Sequence, residues 1–90
     1  MAKRKKKFDV DSLLNSIKLN RIVVYNDSYN TFEWVISTFI EVLDHNYYQA
    51  EQCASIIHSK GKCSVKEGDM DTLKPLAEMI LQKGLTVRIE

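Results

Sequence analysis

Between Phe32 and Leu43 the apolar residues Phe32, Val35, Ile36, Phe39, Ile40 and Leu43 fall at i, i+3, i+4, i+7, i+8 and i+11, one face of a helix. Immediately before them stands a β-branched, apolar run over residues 21–25, Arg-Ile-Val-Val-Tyr, which suits a strand. Only Asn26-Asp27-Ser28-Tyr29-Asn30 separates the two, and this is turn chemistry. Asn30 stands where an N-cap is expected, with Glu33 at the capping-box position. Strand and helix must then share one core.

The rest of the chain is punctuated as clearly. Asp44-His45-Asn46 breaks the first helix, and a second starts after Asn46 with Gln49 three residues on. Ala50, Cys53, Ala54 and Ile57 form its apolar stripe, and Gly61 ends it. Residues 62–66 alternate as a short strand, and Glu67-Gly68-Asp69 turns the chain. A third helix is expected over 72–83, with Leu73, Leu76, Ala77 and Ile80 inward. Pro75 is tolerated only near a first turn, which argues for a start at Asp71. Gly84 caps this helix, and residues 85–89 alternate as a closing strand. The expected fold class is α+β: a small three-stranded antiparallel sheet with three helices packed on one face, in the order β-α-α-β-α-β.

Ninety residues hold one modest core and leave no room for separate nucleotide-binding and catalytic domains. Two units are expected, a flexible basic extension over residues 1–20 and a folded domain over 21–90. The extension carries Lys3, Arg4, Lys5, Lys6 and Lys7, with a weak helical turn around Leu13, Leu14 and Ile17. Residues 8–90 carry 8 basic and 12 acidic groups, a net of −4. A lysine run can grip nucleic acid, but the folded part offers no matching basic face, so the run reads as a solvated tail. No apolar run approaches 18 residues, so no membrane span is expected. No apolar stretch follows the basic start, so export is not expected and the chain is placed in the cytoplasm. Cys53 and Cys63 then stay reduced, and their spacing fits no metal or redox motif.

Catalysis finds little support. The chain has three glycines, no Gly-x-Ser-x-Gly, no phosphate-binding glycine loop and no His-Glu-x-x-His. Cys53 lies five residues before His58 on one helix, which points their side chains about 140° apart. Cys63 has no evident activating cation. No cofactor or metal is implied. Two polar sites stand on apolar ground. Asn26 and Asp27 close a strand and can simply form an Asx turn into the helix. His58 follows Ile56 and Ile57 at a helix end, where a histidine favours the dipole.

Taken together these two sites carry a family resemblance. Val24-Tyr25-Asn26-Asp27-Ser28-Tyr29-Asn30-Thr31-Phe32-Glu33-Trp34-Val35 resembles the segment Asn-Asp-Asp-Tyr-Thr-Pro-Met-Glu-Phe-Val of the ClpS adaptors of bacterial N-degron proteolysis. Ala50-Glu51-Gln52-Cys53-Ala54-Ser55-Ile56-Ile57-His58-Ser59-Lys60-Gly61-Lys62 resembles the second block of that family, an aliphatic residue, His, two residues and Gly. The resemblance covers residues 21–65. It implies an adaptor rather than an enzyme. Such an adaptor binds proteins with a bulky hydrophobic first residue (Phe, Tyr, Trp or Leu) and delivers them to a Clp-type AAA+ unfoldase through that partner's N-terminal domain. By position it implies Asn26, Asp27 and His58 as holders of the α-amino group. Val24, Tyr25, Asn30, Phe32, Val35, Ala54 and Ile57 are then the hydrophobic pocket. The expected protein is a monomer, with no nucleic acid and no membrane among its partners.

The chemistry suits an ammonium. Asn offers a carbonyl, Asp two charged oxygens, and neutral His one ring nitrogen as acceptor. Three departures from the family pattern stand out. Ser28 replaces a second Asp, Phe32 replaces a Met bordering the pocket, and Ala54 replaces another Met. The alternative reading is a structural or RNA-associated protein with a ribosomal-stalk-like α+β fold, its lysine tail gripping RNA.

Overall fold

Ile22 and Val24 alternate inward from the first strand, and both are buried against helices. That strand, β1 (Asn20–Tyr25), is followed by α1 (Phe32–Leu43), α2 (Tyr47–Lys60), β2 (Lys62–Gly68), α3 (Met70–Gln82) and β3 (Thr86–Ile89). The computed structural model describes residues 19–90. The lysine run and the turn around Leu13, Leu14 and Ile17 lie outside the described residues, and Asn20, the last residue of the expected extension, opens β1. The three strands form one antiparallel sheet in the order β2-β1-β3.

The helices fill one layer over this sheet. Ile36, Phe39, Val42 and Leu43 come from α1, Ala50, Ala54 and Ile57 from α2, and Leu73, Ala77 and Ile80 from α3. They join Ile22, Val24, Val65 and Leu85 in one core. Small residues on α2 let that helix lie close. Phe39 is fully buried, and truncating it would cost about 3–5 kcal/mol. Among the described residues no helix is long and apolar enough to cross a membrane.

Several local expectations need correction. The inward face of α1 is narrower than the full stripe, since Phe32 and Ile40 are 38% and 39% exposed. Thr38 is buried in addition, its hydroxyl satisfied by the Trp34 carbonyl. The N-cap of α1 is Thr31, which accepts from Trp34 N at 3.1 Å, and not Asn30. The third helix starts earlier than Asp71, at Met70. Asp69 caps it by accepting from Thr72 N at 2.9 Å. Pro75 therefore lies past the first turn. It is exposed, so the carbonyl left without a donor at Asp71 faces water, which moderates the cost.

One irregularity holds the sheet to the helix layer. The β1–β2 register skips between Ile22↔Lys66 and Val23↔Ser64, leaving Val65 as the extra residue of a bulge. Its carbonyl accepts a hydrogen bond from His45 Nε2 at 3.1 Å. His45 is buried in the α1–α2 connection, beside the Phe39 ring, and its Nδ1 has no partner. Burial pushes its pKa below the usual value, with Lys66 acting in the same direction and the Val65 bond only partly opposing.

A pH dependence follows, with a defined sign. The unfolded chain takes up a proton at His45 at about pH 6.5, before the folded chain does. Stability is therefore fully present above that pH and is lost as pH falls toward the lower, folded value. Thermal melts should give a level Tm from about pH 8 to 7 and a decline beginning near pH 6.5. His45→Gln should remove the decline in that window. An equal decline in the variant would assign it to another group.

Candidate functional site

The end of β1 meets the end of α2. Asn26 N donates to the Gly61 carbonyl at 2.8 Å, directly after the last residue of the strand. Gly61 adopts φ 97°, a conformation a side chain would strain, and closes α2 by donating to the Ile57 carbonyl. His58 lies in this last helical turn and is exposed. The glycine cap thus brings the two sequence blocks to one place.

Asp27 organises the turn between β1 and α1. Its Oδ1 accepts from Tyr29 N at 2.9 Å and Asn30 N at 3.0 Å. Its Oδ2 accepts from Asn30 Nδ2 at 2.9 Å and from the Thr86 hydroxyl at 3.0 Å. Partial burial pushes the carboxyl up. The bonds from the Asn30 and Tyr29 backbone, the Asn30 amide and Thr86 outweigh it and hold the group below the usual range. The Asx turn that the sequence allows at Asn26-Asp27 is thus formed. The Asn30 amide also donates to the Gly84 carbonyl at 3.0 Å. Trp34 Nε1 donates to the Lys83 carbonyl at 2.9 Å, and Lys83 reaches Glu41 at 2.8 Å. These bonds tie the start of α1 to the α3–β3 turn.

Two adjoining cavities open between these elements. One, about 50 Å³, is lined by Asn26, Asn30, Phe32, Val35, Ala54, Ile57 and His58. The other, about 20 Å³, is lined by Val24, Tyr25, Asn26, Asp27, Asn30, Val35, Ile57 and Leu85. They share Asn26, Asn30, Val35 and Ile57, and all ten residues singled out from the sequence border one or both of them. Tyr25 contributes differently from the rest. Its phenol turns away to Glu90, which raises its pKa, and Lys62 Nζ lies 5.7 Å from its ring. Strand alternation is the cause, since neighbouring Val24 points into the core.

Sequence reasoning missed Leu85, which is buried and forms the floor of the smaller cavity. Only the placement of β3 beside β1 brings it there, and no local pattern announces that. A larger open groove of about 480 Å³ lies elsewhere, over Val23 between Arg21, Lys62 and Glu90. Its polar lining is exposed, and no buried polar side chain enters it. The thiols form no activated nucleophile. Burial and the neighbouring Cys63 push Cys53 up to about 12, and burial raises Cys63 as well. Among the described residues no three His, Cys, Asp or Glu side chains gather as a metal site requires.

Residues 15–88 match the model of the family described as ATP-dependent Clp protease adaptor protein ClpS. The ATP-dependent Clp protease adapter protein ClpS of Helicobacter hepaticus is 29% identical over 84 residues, covering 89% of this chain and 85% of that protein. Among solved structures, Agrobacterium tumefaciens ClpS2 bound to L-phenylalaninamide superposes with a TM-score of 0.78 at 20% identity. The superposition covers 81% of this chain and 95% of that one and shows the same fold.

The hydrogen-bond network makes Asp27 a structural residue whatever else it does. Asp27→Asn would turn an amide NH₂ toward donors on Asn30 and Thr86. In this partly exposed site the expected loss is about 1–2 kcal/mol of stability, read as a lower urea midpoint at unchanged slope. An unchanged midpoint would show that the network does not hold the turn.

Proposed function

This chain belongs to the ClpS family of ATP-dependent Clp protease adaptors, and from that premise we propose that it captures proteins by a free, bulky hydrophobic first residue and delivers them to a Clp-type AAA+ unfoldase. The observation that carries this reading is the joining of Asn26, Asp27 and His58 with Val35, Ala54 and Ile57 around two small adjoining cavities. The polar residues supply acceptors and one negative charge for an ammonium, and the apolar residues supply walls for a side chain. The relative bound to L-phenylalaninamide holds a ligand that has both features.

On this reading Asn26 and His58 accept directly from the α-ammonium, and Asp27 supplies the compensating charge. Hydrogen bonds to a charged group contribute about 1.5–3 kcal/mol each. Burial of a Phe-sized side chain adds about 1.5–3 kcal/mol. Association and ordering oppose this, which leaves an affinity near micromolar, about −8 kcal/mol. That strength lets an adaptor release its cargo.

A cavity of about 50 Å³ is small beside the roughly 150 Å³ that accommodates benzene. Phe32 lines it from the first position of α1 and is 38% exposed, so its ring has solvent to turn into when a large side chain enters. Residues 1–20 form, on this reading, an extension that acts in delivery rather than in binding. The adaptor works as a monomer in the cytoplasm through the N-terminal domain of the unfoldase. Nucleic acid is not among its partners, consistent with the net −4 of residues 8–90.

Short peptides differing only at the first residue test the reading. Those beginning with Phe, Tyr, Trp or Leu should bind, and N-acetylation should weaken binding by at least about tenfold, because it removes the charge. Asn26→Ala and His58→Ala should each cost about 10- to 100-fold. Equal affinity for free and acetylated peptides would overturn the assignment. Phe32→Ala should admit β-branched first residues. A lower Tm with an unchanged ranking of first residues would make Phe32 a packing residue only.

A further inference from the structure

The start of β3 reaches the site from a side that neither sequence block supplies. After α3, Gly84 takes φ 93° and reverses the chain. Leu85 then drops into the smaller cavity, and strand alternation turns Thr86 the other way, opposite Tyr25 at the end of β1. From there its hydroxyl donates to Asp27 Oδ2 at 3.0 Å. The same oxygen accepts from Asn30 Nδ2 at 2.9 Å, and that amide is itself anchored on the Gly84 carbonyl. Asp27 Oδ1 is held only from within its own turn, by Tyr29 N, Asn30 N and, at 3.2 Å, the Asn30 amide. The turn thus holds both oxygens through Asn30, and β3 adds a donor to Oδ2 from a second element.

This matters because of what the lining lacks. With Ser28 where a second acid would add charge, Asp27 is the one acidic side chain among the described residues that line the two cavities. The compensation of an ammonium rests on a single carboxylate, and its effectiveness depends on that group being ordered before the ligand arrives. A carboxylate free to rotate would have to be ordered on binding, at a cost in affinity. One already held by donors on two elements does not carry that cost.

We propose that Thr86 is a positioning residue for the amine-binding end of this site, holding the Asp27 carboxylate, together with Asn30, in the orientation that meets a free α-ammonium. The inference rests on the adaptor reading and deepens it, adding β3 as a third element that sets how strongly the charged terminus is accepted. Thr86 touches no ligand in this account and acts only through Asp27. Because Thr86 and the bond it makes are exposed, water competes for the same oxygen and the effect is moderate.

The test compares the full chain with Thr86→Val and Thr86→Ser, using a Phe-initiated peptide with a free or an acetylated N-terminus and a melting curve for each protein. Valine keeps the shape and suits a strand but removes the donor, and serine keeps the donor without the methyl. Thr86→Val should bind the free peptide about two- to fivefold more weakly, and Thr86→Ser should bind like the natural protein. Wild-type affinity in Thr86→Val, or equal weakening in both variants, would overturn the positioning role while leaving the adaptor reading intact. If the natural protein bound free and acetylated peptides alike, the adaptor reading would fail, and this inference with it.

Discussion

The position of β1 in the middle of a three-stranded sheet governs everything else in this molecule. Hydrogen bonding on both edges fixes its register against β2 and β3, and Ile22 and Val24 bind it to the helix layer. Its C-terminal end is consequently where the start of α1, the end of α2 and the start of β3 converge. Each arrives with a hydrogen bond: Asn26 N to Gly61 O, the Asn30 amide to Gly84 O, and the Thr86 hydroxyl to Asp27. An edge strand would have met fewer of these elements. The cavity is a by-product of this convergence, lined by whatever side chains the three elements present.

Structure and recognition draw on the same polar groups there. Asp27 accepts five hydrogen bonds that shape a turn, and those bonds keep its charge in place down to lower pH than an ordinary carboxylate. Asn30 caps no helix. Its amide bridges Asp27 and the α3–β3 turn, and the capping task passes to Thr31. Phe32 occupies the first helical position, at the rim of the cavity rather than in the core. The apolar walls follow the opposite logic. Ala54 and Ile57 belong to the core stripe of α2, so the floor of the site cannot move without disturbing the fold.

Much of this was legible in the sequence because the punctuation is local. Asn46 and Gly61 bound α2 as their side-chain and backbone preferences dictate, and the 3.6-residue period marks α1. The two blocks that carry the candidate site lie at element ends, which is why ten scattered residues border two adjoining cavities. What escaped depends on partners far along the chain. The local pattern places Asn30 as a cap, and its amide instead donates to Gly84, 54 residues away, a partner no local pattern shows. Leu85 and Thr86 join the site only through the strand order β2-β1-β3. The bulge at Val65 requires His45 to receive its carbonyl, a pairing across 20 residues. The early start of α3 is masked by Pro75, whose cost is moderated by its facing water, which no local pattern announces.

The central claim is that the convergence at the end of β1 is the ligand site, and titration with L-phenylalaninamide followed by residue-resolved NMR tests it most directly. The account predicts saturable shifts concentrated at Asn26, Asn30, Val35, Ala54, Ile57 and His58, with weaker ones at Asp27 and Thr86. Shifts concentrated instead on the open groove around Arg21, Val23 and Lys62, with the end of β1 unmoved, would contradict it.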